Sequence, residues 1–207
     1  MLAITHYFDL RFGYTRNIED AQRSLTKYAA LALSLNAQEP YAVAVQATHL
    51  SFSGRFQEAV QAARLATEIS PNDAFCWLVL ARMCLGAELL DEGERAVRRA
   101  MRLNPFYPVN YLAVLADALV HQGRDTEALE VLASLVKRNP NYISAHLHLA
   151  GLHGQAGNWD AARAAVAEVQ RINPAYRLEM ARRFYLSADE ERQERFVAAL
   201  RTAGIPE

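Results

Sequence analysis

The chain has 207 residues, 52% of them hydrophobic, with nine Gly and seven Pro. That is apolar enough for a continuous core and leaves no room for a long disordered linker. A formal net charge of -1 gives no bulk push toward nucleic acid or an anionic membrane. No apolar run reaches the ~18 residues of a membrane span. Met1-Leu2-Ala3-Ile4-Thr5-His6 has no basic stretch ahead of an apolar one, so no signal peptide is evident. Cys76 and Cys84 fall on one predicted helix, about 12 Å apart and too far for a disulfide. They read as buried thiols of a reducing compartment, and the cytoplasm is the expected location.

In chain order, residues 1–39 predict a degenerate helical hairpin, with helices from Leu2 to about Phe12 and from about Ile18 to Leu35. Four segments follow, and each predicts two helices joined by a tight turn. In 40–73 the first helix carries Val43, Gln46, Ala47 and Leu50 at i, i+3, i+4 and i+7, and the second carries Ala59, Ala63 and Ala66. In 74–108 the stripes are Trp77, Leu80, Ala81 and Cys84, then Gly93, Val97 and Ala100. In 109–142 they are Leu112, Leu115, Ala116 and Leu119, then Ala128, Leu132 and Leu135. In 143–176 they are His146, Leu149, Ala150 and His153, then Ala162, Val166 and Val169. Ala59, Ala128 and Ala162 are small where paired helices must approach closely. Residues 177–207 predict a short helix near Leu178–Phe184 and a last one near Ala188–Ala203. Phe196, Val197 and Leu200 give that helix an apolar face under Glu190, Glu191, Glu194, Arg192, Arg195 and Arg201, as a cap on an open helical end needs.

Pro40, Pro71, Pro105, Pro140 and Pro174 mark these segments off at spacings of 31, 34, 35 and 34 residues. Gly54-Arg55-Phe56-Gln57-Glu58-Ala59, Gly123-Arg124-Asp125-Thr126-Glu127-Ala128 and Gly157-Asn158-Trp159-Asp160-Ala161-Ala162 align. So do the closures Ile69-Ser70-Pro71, Leu103-Asn104-Pro105, Arg138-Asn139-Pro140 and Ile172-Asn173-Pro174. A period of this length with a turn Gly, a small residue and a closing Pro resembles the tetratricopeptide repeat. The resemblance implies an all-α fold, a right-handed superhelical α-solenoid of antiparallel hairpins with a C-terminal capping helix. Residues 2–14, 104–112 and 194–207 further resemble the C-terminal tetratricopeptide region of bacterial class III adenylate/guanylate cyclase-like proteins and of some winged-helix regulators. There the region follows a catalytic or DNA-binding domain. Nothing here has the paired metal-binding Asp of a cyclase or a basic recognition helix, so no catalytic residue carries over.

The useful surface of such an array is its concave face, lined by the first helix of each hairpin. Spacing from Trp77 assigns to it Tyr41, Ala44, Val45, Thr48 and Phe52, then Phe75, Leu78, Val79 and Arg82. It continues with Asn110, Ala113, Val114, Asp117 and His121, then Ser144, Leu147, His148 and Gly151. This mostly apolar groove suits a protein or peptide partner presenting an amphipathic helix or extended apolar segment. The alternative is that the chain's own terminal helices, or a second copy, fill it. A free groove predicts that Leu78→Asp or Val114→Asp abolishes binding with helicity unchanged. The acidic chaperone tails held by some tetratricopeptide domains are disfavoured, because Leu78, Val79, Ala113 and Val114 stand where Lys, Asn and Arg would be needed, and Arg82 alone cannot form the clamp.

Other clusters read as structural. His146 and His153 share a face at i, i+7 but sit at packing positions, and His148 points elsewhere with no Cys or acidic ligand beside it, so no metal is expected. Arg95, Arg98, Arg99 and Arg102 form a basic stripe, yet Asp91 and Glu94 lie four residues ahead of Arg95 and Arg98 in the orientation that favours ion pairs. Trp77 and Trp159 read as core and turn-packing aromatics. No nucleophile–base pair or phosphate loop is present, so neither a cofactor nor catalysis is expected. The expected role is a non-catalytic interaction scaffold. The other open reading is a self-associating, homodimeric regulatory module of a cyclase or transcription regulator, with no nucleic acid or membrane among its partners.

Overall fold

The computed structural model describes residues 18–36, 38–185 and 189–207. The predicted helix Leu2–Phe12, and with it the 2–14 stretch of the cyclase-like resemblance, lies outside the described residues. Every regular element among the described residues is an α-helix. Contacts divide the chain into two units, Met1–Tyr107 and Pro108–Glu207.

Unit 1 holds α1 (Ile18–Leu35), α2 (Pro40–Phe52), α3 (Phe56–Ile69), α4 (Ala74–Gly86) and α5 (Leu90–Leu103). Helices α2 and α3 form one hairpin and α4 and α5 the next; α4 packs on both α2 and α3, and α1 packs on α2. Unit 2 holds α6 (Asn110–His121), α7 (Asp125–Arg138), α8 (Ile143–Gln155), α9 (Trp159–Ile172), α10 (Leu178–Phe184) and α11 (Glu190–Ala203). Its hairpins are α6–α7 and α8–α9, with α8 also against α7 and α6, and α11 against α8, α9 and α10.

The second helix of each hairpin is amphipathic with a narrow apolar stripe. Helix α5 buries Gly93, Ala96, Val97 and Ala100 and turns its arginines outward. Ala59, Ala128 and Ala162 are 0% exposed, so an added side chain there costs about 1–3 kcal/mol by overpacking. Gly93 takes that position in the second hairpin, where a Cβ would stand 2.8 Å from Leu85 Cδ2 and 3.2 Å from the Ala81 carbonyl oxygen.

The first helices are different. Helix α4 buries Cys76, Leu78, Val79, Leu80, Ala81, Met83, Cys84, Leu85 and Gly86, which covers both of its faces. An all-round apolar helix belongs in an interior.

Turns follow local chemistry. Gly54, Gly123 and Gly157 adopt φ of 74°, 71° and 76°, the left-handed region where glycine avoids the Cβ clash. The second hairpin has no glycine there and holds Glu88 at φ 59°, at a cost of about 1–2 kcal/mol. Asn139 and Asn173 accept backbone N–H bonds from Asn141 and Ala175 through their side-chain oxygens. Those Asx turns hold the chain open just where proline stops each helix. Past α11, Gly204 at φ 107° closes the helix, and the Pro206 carbonyl accepts the N–H of Leu178, 2.8 Å away, tying the last residues to the start of α10.

Candidate functional site

In unit 1 the expected partner-facing positions split in two. Val45, Thr48, Leu78 and Val79 are 3%, 4%, 5% and 2% exposed, and so belong to the buried part of these helices. Thr48 turns its hydroxyl onto the Ala44 carbonyl. Tyr41 is exposed, and Phe52, Phe75 and Arg82 are half-buried. Tyr41 and Phe75, from the first turns of α2 and α4, stack with ring centroids 5.3 Å apart and planes 20° apart. Asp73, the N-cap of α4, fixes the pair. Its Oδ1 accepts the N–H groups of Phe75 and Cys76, and its Oδ2 accepts the Tyr41 hydroxyl at 2.8 Å. That hydrogen bond, aided by partial burial and the Asp73 charge, pushes the Tyr41 phenol up to about 12. One carboxylate thus caps a helix and joins two successive repeats through an aromatic ledge.

In unit 2 the same kind of face is covered from within the chain. Val114, His121, Ser144, Leu147 and His148 are all buried, while Asn110 and Asp117 are half-buried. The cover is Tyr185 together with α11. Tyr185 lies 5.0 Å from the His121 ring and stacks on Phe196 at 4.3 Å, and Phe196 lies 6.0 Å from the His148 ring. Arg192 donates to the His121 carbonyl at 3.1 Å. Gly151 and Gly154 make the seat. A Cβ on Gly151 would stand 2.6 Å from Phe196 Cε2, and one on Gly154 3.2 Å from the Ala199 Cβ. Of the two occupancies open from sequence, self-filling is what unit 2 displays. Tyr185, Arg192, Phe196 and Ala199 were not foreseen as groove fillers; the sequence signal was the glycine pair three apart on α8, matched by an aromatic and a small residue three apart on α11.

Burial also corrects one expectation. An aspartate at Leu78 or Val114 would place an unpaired charge in the core, which destabilises the fold. The binding test with helicity unchanged therefore belongs at Tyr41 and Phe75.

The remaining clusters behave as packing groups. His146 is buried with its Nε2 2.8 Å from the Pro140 carbonyl oxygen, and Trp77 donates its indole N–H to the Pro71 carbonyl at 2.8 Å from a half-buried site. Trp77 is thus a turn-packing residue more than a core one. No group of three or more His, Cys, Asp or Glu among the described residues is arranged to hold a metal ion. Burial pushes the thiols of Cys76 and Cys84 up to about 12, far from a reactive thiolate. On α5, Arg98 pairs with Glu94, and Glu92 pairs with Arg64 of α3 at 2.6 Å.

Models of two tetratricopeptide-repeat families match residues 78–143 and 119–183. Residues 78–183 are tetratricopeptide repeats. Over 128 residues the chain is 30% identical to the tetratricopeptide repeat and J domain-containing co-chaperone DNJ1 of Fusarium oxysporum f. sp. lycopersici. That match takes in 56% of this chain and 23% of the relative, so the chain spans about a quarter of that protein's length. Among solved structures it is similar to PilW, a widely conserved type IV pilus biogenesis factor, at TM-score 0.67 and 17% identity, covering 98% of this chain and 89% of the other. It is also similar to YrrB, a tetratricopeptide protein with an unusual peptide-binding site, at TM-score 0.53 and 19% identity, covering 84% and 90%. Both likenesses establish the repeat fold. No described helix is long and apolar enough to cross a membrane.

Proposed function

We propose that the chain is a non-catalytic scaffold that holds a protein or peptide partner on the first-helix face of its repeats, with the Tyr41–Phe75 ledge of unit 1 as the principal contact. The observation that carries this reading is that ledge. Two aromatic rings from successive repeats are stacked, one exposed and one half-buried, with one carboxylate bonding the hydroxyl of the first and the backbone N–H of the second. Rigid aromatics with a polar tip lose little entropy on binding and supply large contact area. Phe52 and Arg82, both half-buried, extend the same set with an apolar and a cationic group. Repeats of this family generally mediate protein–protein interaction, and YrrB, similar in fold, carries a peptide-binding site.

The test is affinity capture from a cell lysate with the intact chain beside a Tyr41→Ala/Phe75→Ala variant of matched helicity. A protein retained by the first bait and lost from the second supports the ledge; identical recovery by both refutes it.

A second reading, self-association as a regulatory module of a cyclase or transcription regulator, is favoured by Phe106. That ring, in the turn between α5 and α6, is 95% exposed, more open than Leu35 at 80%. Sedimentation should then show a concentration-dependent dimer that Phe106→Ser removes. A monomer at high micromolar concentration eliminates this reading.

A further inference from the structure

We infer that the Tyr41–Phe75 ledge takes an arginine side chain of the partner, its guanidinium laid on the outer side of the Tyr41 ring and paired with the carboxylate of Glu39. This rests on the reading of the ledge as the docking site and supplies the chemistry of what docks there, a segment with a basic side chain.

Two carboxylates flank the rings, one from each repeat. Asp73 is the N-cap of α4, and Glu39, 34 residues earlier, is the N-cap of α2. Their situations differ. Asp73 is engaged within the chain, its Oδ1 accepting two backbone N–H groups and its Oδ2 the Tyr41 hydroxyl. Glu39 makes no capping bond to its own helix. Among the described residues neither carboxylate has an ion-pair partner. Glu39 is nevertheless half-buried, where water screens its charge less than on an open surface.

That charge reaches the ledge. The Tyr41 phenol is pushed up to about 12 first by its hydrogen bond to Asp73, and the Glu39 charge adds to the effect. The Cys76 thiol, in the first turn of α4, is raised first by burial and then by the Asp73 and Glu39 charges. Both carboxylates therefore act on the space around the two rings, while the phenol between them stays uncharged at neutral pH.

Physical chemistry then selects the ligand. An aromatic face attracts a cation, and a carboxylate at its margin attracts the same cation. Phe75 stacks on one side of the Tyr41 ring, yet Tyr41 is 41% exposed, so its outer side is open to a planar group. Guanidinium meets both demands: it is flat, weakly hydrated and forked to match a carboxylate. An ammonium answers only the charge. An anionic ligand is repelled by Glu39 and Asp73 together. A purely apolar segment would cover Glu39 and leave its charge without a counterion, which is costly.

The test is an NMR titration of the full chain with Nα-acetyl-arginine amide, beside Nα-acetyl-citrulline amide, which has nearly the same shape without the charge. The arginine probe should shift the Tyr41 and Phe75 resonances along a binding curve and bind at least threefold more tightly than the citrulline probe. Its binding should weaken as NaCl rises from about 50 to about 500 mM. Glu39→Gln alters a side chain that makes no cap bond, so the fold stands. It should raise the arginine dissociation constant at least threefold and leave the citrulline one unchanged. Tyr41→Ala should abolish the shifts. Equal response to the two probes, no response at these rings, or arginine binding indifferent to Glu39→Gln overturns the inference. The lysate capture fails or succeeds separately. A partner retained through Tyr41 and Phe75 but indifferent to Glu39→Gln keeps the ledge as the docking site and removes the arginine.

Discussion

The two units carry the same hairpin and bury the middle of its first-helix face alike, at Val45, Leu78 and Val79 as at Val114, Leu147 and His148, but they differ at its edge. Unit 1 leaves Tyr41 and Phe75 in contact with solvent and braces them with Asp73. Unit 2 lays α11 across α8 and covers its face with Tyr185 and Phe196. The difference shows that a face of given sequence spacing has no fixed availability. What decides it is whether the chain supplies a complementary element with a seat to match, and the seat in unit 2 is two glycines.

The sharpest way to break the comparison is Phe196→Ala. Removing a ring that is 2% exposed should cost about 3–5 kcal/mol, read as a lowered thermal midpoint with faster amide exchange in α8 and α11. A smaller intervention acts on the other partner. Gly151→Ala sets a Cβ against that ring and should cost about 1–3 kcal/mol; a Gly151→Ala/Phe196→Leu double variant should recover part of the loss, since the clash goes with the ring.

In unit 1 the effects run smaller. Glu88→Gly relieves a left-handed backbone and should raise stability by about 1 kcal/mol, measured by urea denaturation. Smallest is the pH response of the ledge. Because the Tyr41 phenol titrates higher in the folded chain, at about 12, than in the unfolded one, its hydrogen bond contributes fully below about pH 10. The contribution fades as pH rises from there toward 12. Denaturant midpoints across that window should fall in the parent chain and lose that component in Tyr41→Phe; identical slopes would remove Asp73 as the brace.

Much of this was legible in the residues. The 34-residue spacing of prolines, the small residues at Ala59, Ala128 and Ala162 and the turn glycines lead directly to helical hairpins, because each has a local backbone or packing cause. The amphipathic second helices announce which side is buried. The first helices do not. In α4, Ala74–Gly86, apolar residues occupy every face, and sequence spacing alone divides them into a core stripe and a groove stripe. The structure buries both, since an apolar groove residue is as readily covered by neighbouring chain as by a partner. Which residues would do the covering was a long-range matter. Tyr185 and Phe196 sit 64 and 75 residues beyond His121 in the numbering, and no local rule links them.

The contact between Gly151 and Phe196 makes two positions answerable to one another across 45 residues of chain. Neither can change freely. A side chain at 151 requires a smaller residue at 196, and a lost ring at 196 leaves a hollow that a larger 151 could fill. Related sequences that keep α11 seated on α8 should therefore show these two positions varying as a pair, and a lineage that lost that packing should let them drift apart.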